Sequence, residues 1–239
     1  MPDQTWPSHA SRIDNYIDGT ASRAPRSHPQ LSSIRSRNPQ TCSESHPSLS
    51  QLAEPYLYAH VLLKTDESQL ENLTELLSKC PYIAHYIRSL EIYVSGHEEA
   101  RHRCLRGIST ILPYLLALKM VTLDNTACPY WGWVGHPESF RRAFLDCLRF
   151  QSMQDVCINQ VYAFPFRSAL NGECKSIRSL TVSGCLWRHP NPSQINNLLT
   201  NQGFPLKSLC IKSCGESFVK GFAVWFATCG SPIAGVFFI

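Results

Sequence analysis

A short register that returns along this chain constrains its fold more than any other feature. Residues 177–187 (IRSLTVSGCLW) carry apolar side chains at Ile177, Leu180, Val182 and Cys185, with small or polar residues between. Leu180 and Val182 alternate, so both point to one face of a short strand. Cys185 follows where the chain turns away, a corner that suits a small, weakly polar side chain. The same spacing can be read five more times. The sets are Tyr58, Val61, Leu63, Asp66; Ile87, Leu90, Ile92, Ser95; Leu115, Leu118, Met120, Leu123; Met153, Val156, Ile158, Val161; and Leu206, Leu209, Ile211, Cys214.

Helical patterns lie between these sets. Leu70, Leu73 and Leu77 share a face, with Thr65 or Asp66 read as the N-cap. A second helix is expected over 98–112, with Cys104, Leu105, Ile108, Ile111 and Leu112 inward and Pro113 ending it. Residues 125–139 (NTACPYWGWVGHPES) read as a loop. Pro137 then opens a helix whose Phe140, Phe144 and Leu148 share a face. A short helical turn runs through Leu170, and Asn191 and Pro192 start another with Ile195, Leu198 and Leu199 inward. Anchored at residues 61, 90, 118, 156, 180 and 209, the units recur at intervals of 29, 28, 38, 24 and 29 residues. All but the loop-bearing one fall in the roughly 20–29 residue range of leucine-rich repeats. Alternating strands and helices predict an α/β fold with parallel strands and crossover helices. Stacked units make it a leucine-rich-repeat-like solenoid; the alternative is a doubly wound α/β domain. Leu90, Leu118, Ile158, Leu180 and Leu209 are expected in the core.

The chain divides into three stretches. Residues 1–48, rich in Ser, Pro, Arg and Gln, bury too little to order themselves and are expected to be disordered. Arg23, Arg26, Arg35 and Arg37 lie there without an acid between them, which suits a docking tail or a merely solvated one. Residues 49–214 hold the repeats. Residues 222–239 contain no charge, but Gly230-Ser231-Pro232 interrupts them, so a membrane anchor is disfavoured. Two buried strands, 223–227 and 233–238, or a tail foreign to the fold, are the readings left for 215–239. At 44% hydrophobic residues there is material for a sizeable core. The net charge of +4 is mild and no basic run is dense, which does not favour nucleic acid. Eleven cysteines and no apolar leader in residues 1–31 read as reduced thiols inside a cell, in cytoplasm or nucleus, so the sequon at Asn72 has no glycosylation role.

Several stretches, in order, resemble a known family. AEPYLYAHVLL, IAHYIRSLEI, ILPYLLALKMVTL, the Trp-bearing loop, FRRAFLDCL and CKSIRSLTVSGC are similar to fungal F-box proteins with degenerate leucine-rich repeats, of the mushroom-forming type. The resemblance covers residues 49–214. It implies repeats that hold a protein substrate and an N-terminal F-box that binds the Skp adaptor of a cullin ubiquitin ligase. It also implies a packing role for Trp133, since a Trp recurs there before the following helix. Residues 1–48 lack the compact helical module opening with Leu-Pro and an acidic residue, so this chain alone is not expected to bind the adaptor. The alternative is an interaction protein or truncated remnant with no ubiquitin role.

Catalytic and metal signals are weak. His97-Glu98-Glu99-Ala100-Arg101-His102 is one residue too long for a zinc-protease string, which sets its imidazoles about 140° apart on a helix. Cys210 and Cys214 fall on opposite strand faces without a second ligand pair. No phosphate-binding or nucleophile-elbow motif occurs. The expectation is a non-catalytic protein-binding scaffold without cofactor or metal. Its binding wall is expected from the strand residues facing away from the core: Glu91 and Tyr93, Lys119 and Val121, Cys157 and Asn159, Thr181 and Ser183, Cys210 and Lys212. Tyr130 and Trp131 are expected at a loop surface as aromatic anchors. The candidate contact residues are therefore Glu91, Tyr93, Lys119, Tyr130, Trp131, Asn159, Thr181 and Lys212.

Overall fold

Seven five- or four-residue strands lie side by side in the order of the chain. They are β1 (His60–Lys64), β2 (Ser89–Tyr93), β3 (Met120–Asp124), β4 (Asp155–Asn159), β5 (Ser179–Ser183), β6 (Ser208–Lys212) and β7 (Gly235–Phe238). Every neighbouring pair is parallel, in the order β1-β2-β3-β4-β5-β6-β7. Helices α1 (Gln69–Lys79), α2 (Glu98–Ile111), α3 (Glu138–Cys147), α4 (Phe166–Ala169) and α5 (Glu216–Cys229) stand between strands. The computed structural model describes residues 53–65, 68–129, 131–170, 174–185, 206–229 and 235–238. All belong to the second of two units, Met1–Glu44 and Ser45–Ile239. The expected α/β class, with parallel strands joined by helices, is the one adopted.

Alternation within each strand decides which face the helices cover. Leu90 and Ile92 of β2, Val121 and Leu123 of β3, Val156 and Ile158 of β4, Leu180 and Val182 of β5, and Leu209 and Ile211 of β6 are buried. The residues between them are exposed or half-buried. Parallel sheets with both faces covered read as continuous apolar runs; these strands alternate, so one face remains open. The strand order also never reverses, as it would at the switch point of a doubly wound sheet. Against the covered face pack Leu70 and Leu73 of α1, Leu105 and Ile108 of α2, Phe140 and Phe144 of α3, and Phe218 and Phe222 of α5. Buried rings run from Trp133 to Phe164 (4.8 Å), Phe166 (4.7 Å) and Phe222 (5.4 Å), tying the loop before α3 to the C-terminal helix.

The backbone repeats one hydrogen-bond pattern from strand to strand. At strand entry a single carbonyl accepts two amides from the next strand. The accepting residues are Ala59, Arg88, Lys119, Gln154 and Arg178, and the last receives Lys207 N at 2.8 Å and Ser208 N at 3.0 Å. At strand exit the amides of Thr65, Val94, Asn125, Gln160 and Gly184 each donate to the last residue of the following strand. Gln160, Gly184 and Ser213, directly after β4, β5 and β6, all have positive φ of 50–60°. Glycine suits that left-handed turn; Gln160 adopts it against the usual steric preference while its amide is held by Ser183 O, and Ser213 takes the same turn.

Four expectations need correction. The third register is displaced: Val121 and Leu123, not Leu118 and Met120, pair with Leu90 and Ile92. Met120 points outward and Leu118 is buried just before the strand, so the neighbouring intervals become 31 and 35 residues. Leu115, taken as the first position of that register, is instead buried at the end of a short 3-10 turn. Second, residues 223–227 lie within helix α5, while 235–238 form β7 on the same sheet; residues 216–229 and 235–238 thus belong to the fold. Third, α1 is preceded by Ser68 with no side-chain cap, and the Thr65 hydroxyl instead donates to Ser95 O at 2.7 Å while accepting Ser95 N at 2.8 Å. Fourth, Pro137 precedes the first residue of α3. The readings of residues 1–48, Asp66, Tyr130 and the helix at Asn191–Leu199 fall outside the described residues.

Candidate functional site

Beyond the strand-entry row of His60, Ser89, Met120, Asp155, Ser179 and Ser208, the open face of the sheet carries two rows that the strand register places side by side. The middle row runs Leu62, Glu91, Thr122, Cys157, Thr181, Cys210. The row at the exit ends runs Lys64, Tyr93, Asp124, Asn159, Ser183, Lys212. Five of the eight expected contact residues therefore come together: Glu91 and Thr181 in one row, Tyr93, Asn159 and Lys212 in the other. Glu91 and Lys212 are exposed, while Tyr93, Asn159 and Thr181 are half-buried.

Lys119 is placed differently. It precedes β3 at the strand-entry edge, where its amide donates to Arg88 O at 2.7 Å. Val121, paired with it in the expected wall, is fully buried on the opposite face. The occupants of the open face on β3 are Met120, Thr122 and Asp124. They were missed because the register was displaced; the alternation Val121, Thr122, Leu123, Asp124 was the available signal.

Asp124 and Asn159 form the polar centre of the face. Asn159 Nδ2 donates to Asp124 Oδ2 at 3.2 Å, and Asp124 Oδ1 accepts Thr126 N at 2.8 Å and the Thr126 hydroxyl. The Cys157 thiol donates to Asn159 Oδ1 at 3.3 Å. Burial pushes the Cys157 pKa up, the nearby Asp124 and Glu91 carboxylates add to this, and the Asn159 bond opposes it. Cys157 is thus held as a thiol, poorly suited to act as a nucleophile. The face offers donors, acceptors and charges of both signs at spacings of neighbouring strands. That equips it to recognise a surface.

The loop before α3 is the second candidate region. Trp133 is 4% exposed and packs edge-on against Phe144 and Phe164, as expected. Trp131 was expected at the surface but is half-buried against the core. The Arg101 guanidinium lies 4.4 Å from its ring centre, His102 stacks on it at 5.4 Å, and His136 meets it at 4.4 Å. A side chain at Gly135 would begin 2.5 Å from Trp131 Nε1, so only glycine leaves room for this ring. The Asn125 amide fixes the loop by donating to Trp131 O at 2.6 Å. Trp131 therefore presents one partly covered ring, and much of its area is spent internally.

His97 stands at the N-cap of α2, while His102 Nε2 lies 3.0 Å from Gly135 O. Among the described residues no group of three His, Cys, Asp or Glu side chains is gathered as metal ligands. No helix among them is long and apolar enough to cross a membrane. No protein-family model matches the chain, and neither a curated protein nor a solved structure matches it.

Proposed function

We propose that this chain is a non-catalytic protein-binding scaffold of the leucine-rich-repeat type, working like the substrate-recognition part of a cullin-type ubiquitin ligase receptor. The observation that carries the reading is the open, mixed-polarity sheet face opposite a fully apolar one, repeated in register across consecutive parallel strands. Repeating strand-entry and strand-exit hydrogen bonds support stacked equivalent units. Stacked repeats of this kind bind proteins across a row of strands, using aromatic and charged anchors. Tyr93, Glu91, Asn159, Thr181 and Lys212 are the contacts on the face.

The test is a combined variant, Tyr93→Ala, Thr181→Arg and Lys212→Glu. A protein partner captured by the parent chain should lose about tenfold or more in affinity, because unpaired charges and a lost aromatic anchor act at the interface centre. Unchanged affinity at unchanged melting temperature would rule out this face. The ubiquitin link is tested separately with purified Skp adaptor. This chain alone is expected not to co-purify with it, and stable co-purification would overturn that expectation.

A further inference from the structure

The residue immediately before each of five consecutive strands is Arg88, Lys119, Gln154, Arg178 and Lys207. In sequence they lie in different units. The strand-entry ladder binds their backbones to one another, amide to carbonyl, from Lys119 to Arg88 through Lys207 to Arg178. The four cations are exposed. Neighbouring strands lie about 4.8 Å apart, so the row spans roughly 19 Å. At its far end a cavity of about 290 Å³ opens among Gln151, Gln154, Lys175, Ser176, Arg178 and Lys207. Three of those six residues are cations and none is a carboxylate.

Five cations on or beside the helices are compensated locally. Lys79, Arg103, Arg142, Arg149 and Lys220 each pair with an acid three or four residues away. No described carboxylate pairs with Lys119, Lys175, Arg178 or Lys207, and Arg88 reaches only the Ala117 carbonyl at 3.2 Å. The acid adjacent in register is Asp155, half-buried as the first residue of β4. A row of uncompensated cations on a rigid backbone ladder favours an anionic partner and repels a basic one.

We propose that this strand-entry edge docks an extended acidic segment of a partner protein, with one of its carboxylates seated in the cavity between Lys175, Arg178 and Lys207. An extended chain covers the row in about six residues at roughly 3.3 Å each. A small anion would use the cavity alone and leave Arg88 and Lys119 idle. This edge is separate from the open face and goes beyond the reading above.

The experiment is fluorescence anisotropy of the full chain with a labelled, glutamate-rich peptide of about eight residues. Arg88→Glu/Lys119→Glu and Arg178→Glu/Lys207→Glu should each weaken binding about tenfold or more, while Arg103→Glu/Arg142→Glu on the helical side should leave it within about twofold. Raising salt from about 0.05 M to about 0.5 M should weaken it as well, since the screening length falls severalfold. Gln replacements at the same four positions, with circular dichroism to verify folding, should give the same ranking. Three results would overturn the proposal. One is indifference to both edge pairs. The second is loss only with Arg178 and Lys207 together with equal competition by inorganic phosphate, which marks a small-anion pocket. The third is tighter binding of a single-stranded oligonucleotide through the same residues. Failure here leaves the open-face reading intact, because that is measured by a partner's dependence on Tyr93, Thr181 and Lys212.

Discussion

Leu180 and Thr181 are neighbours with opposite surroundings. Leu180 is 1% exposed on the covered face, and Thr181 is half-buried on the open one. Truncating Leu180 to Ala removes its transfer free energy and leaves a cavity, at a cost of about 2–5 kcal/mol. Thr181→Ala should change stability by about 0.5 kcal/mol or less. Chemical denaturation of both variants checks the strand register directly, and equal losses would refute it. His136 supplies a second residue-scale expectation. It is 2% exposed among Trp131, Trp133 and Phe140, and neither ring nitrogen has a hydrogen-bond partner among the described residues. Burial, then the charges of Arg141, His102 and Arg101, push its pKa down from 6.5 to about 3. Between those values the unfolded chain binds a proton that the folded one refuses. Stability from this group is therefore full above about pH 6.5 and falls as the pH drops toward 3, by up to about 1.4 kcal/mol per unit. His136→Phe keeps the ring and sacrifices no hydrogen bond. Its denaturation midpoint should depend less on pH between about 6.5 and 4 than that of the parent, and an unchanged slope would contradict the assignment.

At the scale of elements, the loop between β3 and α3 joins sequence to packing most clearly. Gly135→Ala places a methyl group against the Trp131 ring edge, at 2.5 Å from Nε1 and 2.8 Å from Cδ1. The ring must leave its place over Arg101, so emission should shift to the red and become easier to quench. Trp131→Phe in the same background should abolish that change, and Trp133→Phe should not. A Gly135→Ala spectrum identical to the parent's would show that Trp131 is not seated there. This loop and β3 also mark where the sequence was misread. Residues 115–123 (LLALKMVTL) fit the repeat spacing in two frames. The frame with four apolar matches is the wrong one, because Leu115 closes a 3-10 turn instead of starting a repeat. In a dense apolar run the frame with more apolar matches outweighs the polar Thr122 and Asp124 that mark the true alternation, and pairing with Leu90 and Ile92 identifies the right one. The C-terminal helix was misread for a related reason. Its apolar residues run around much of the helix, which hides the Phe218–Phe222 spacing and the Glu216–Lys220 pair that betray it.

At the scale of the whole described unit, the strand faces were legible and the edge was not. Alternation names the open face strand by strand, so Glu91, Tyr93, Asn159, Thr181 and Lys212 could be placed without coordinates. The basic edge could not, because Arg88, Lys119, Arg178 and Lys207 are separated by 29 to 59 residues in the chain and meet only through the ladder. A mild net charge of +4 gives no hint of this concentration. The unbroken strand order has one more consequence, for the birth of the protein. Each strand finds its preceding partner already synthesised, roughly one unit upstream, so no pairing has to wait for a distant segment. The sheet can therefore lengthen on the ribosome strand by strand, its apolar face covered progressively as the chain emerges.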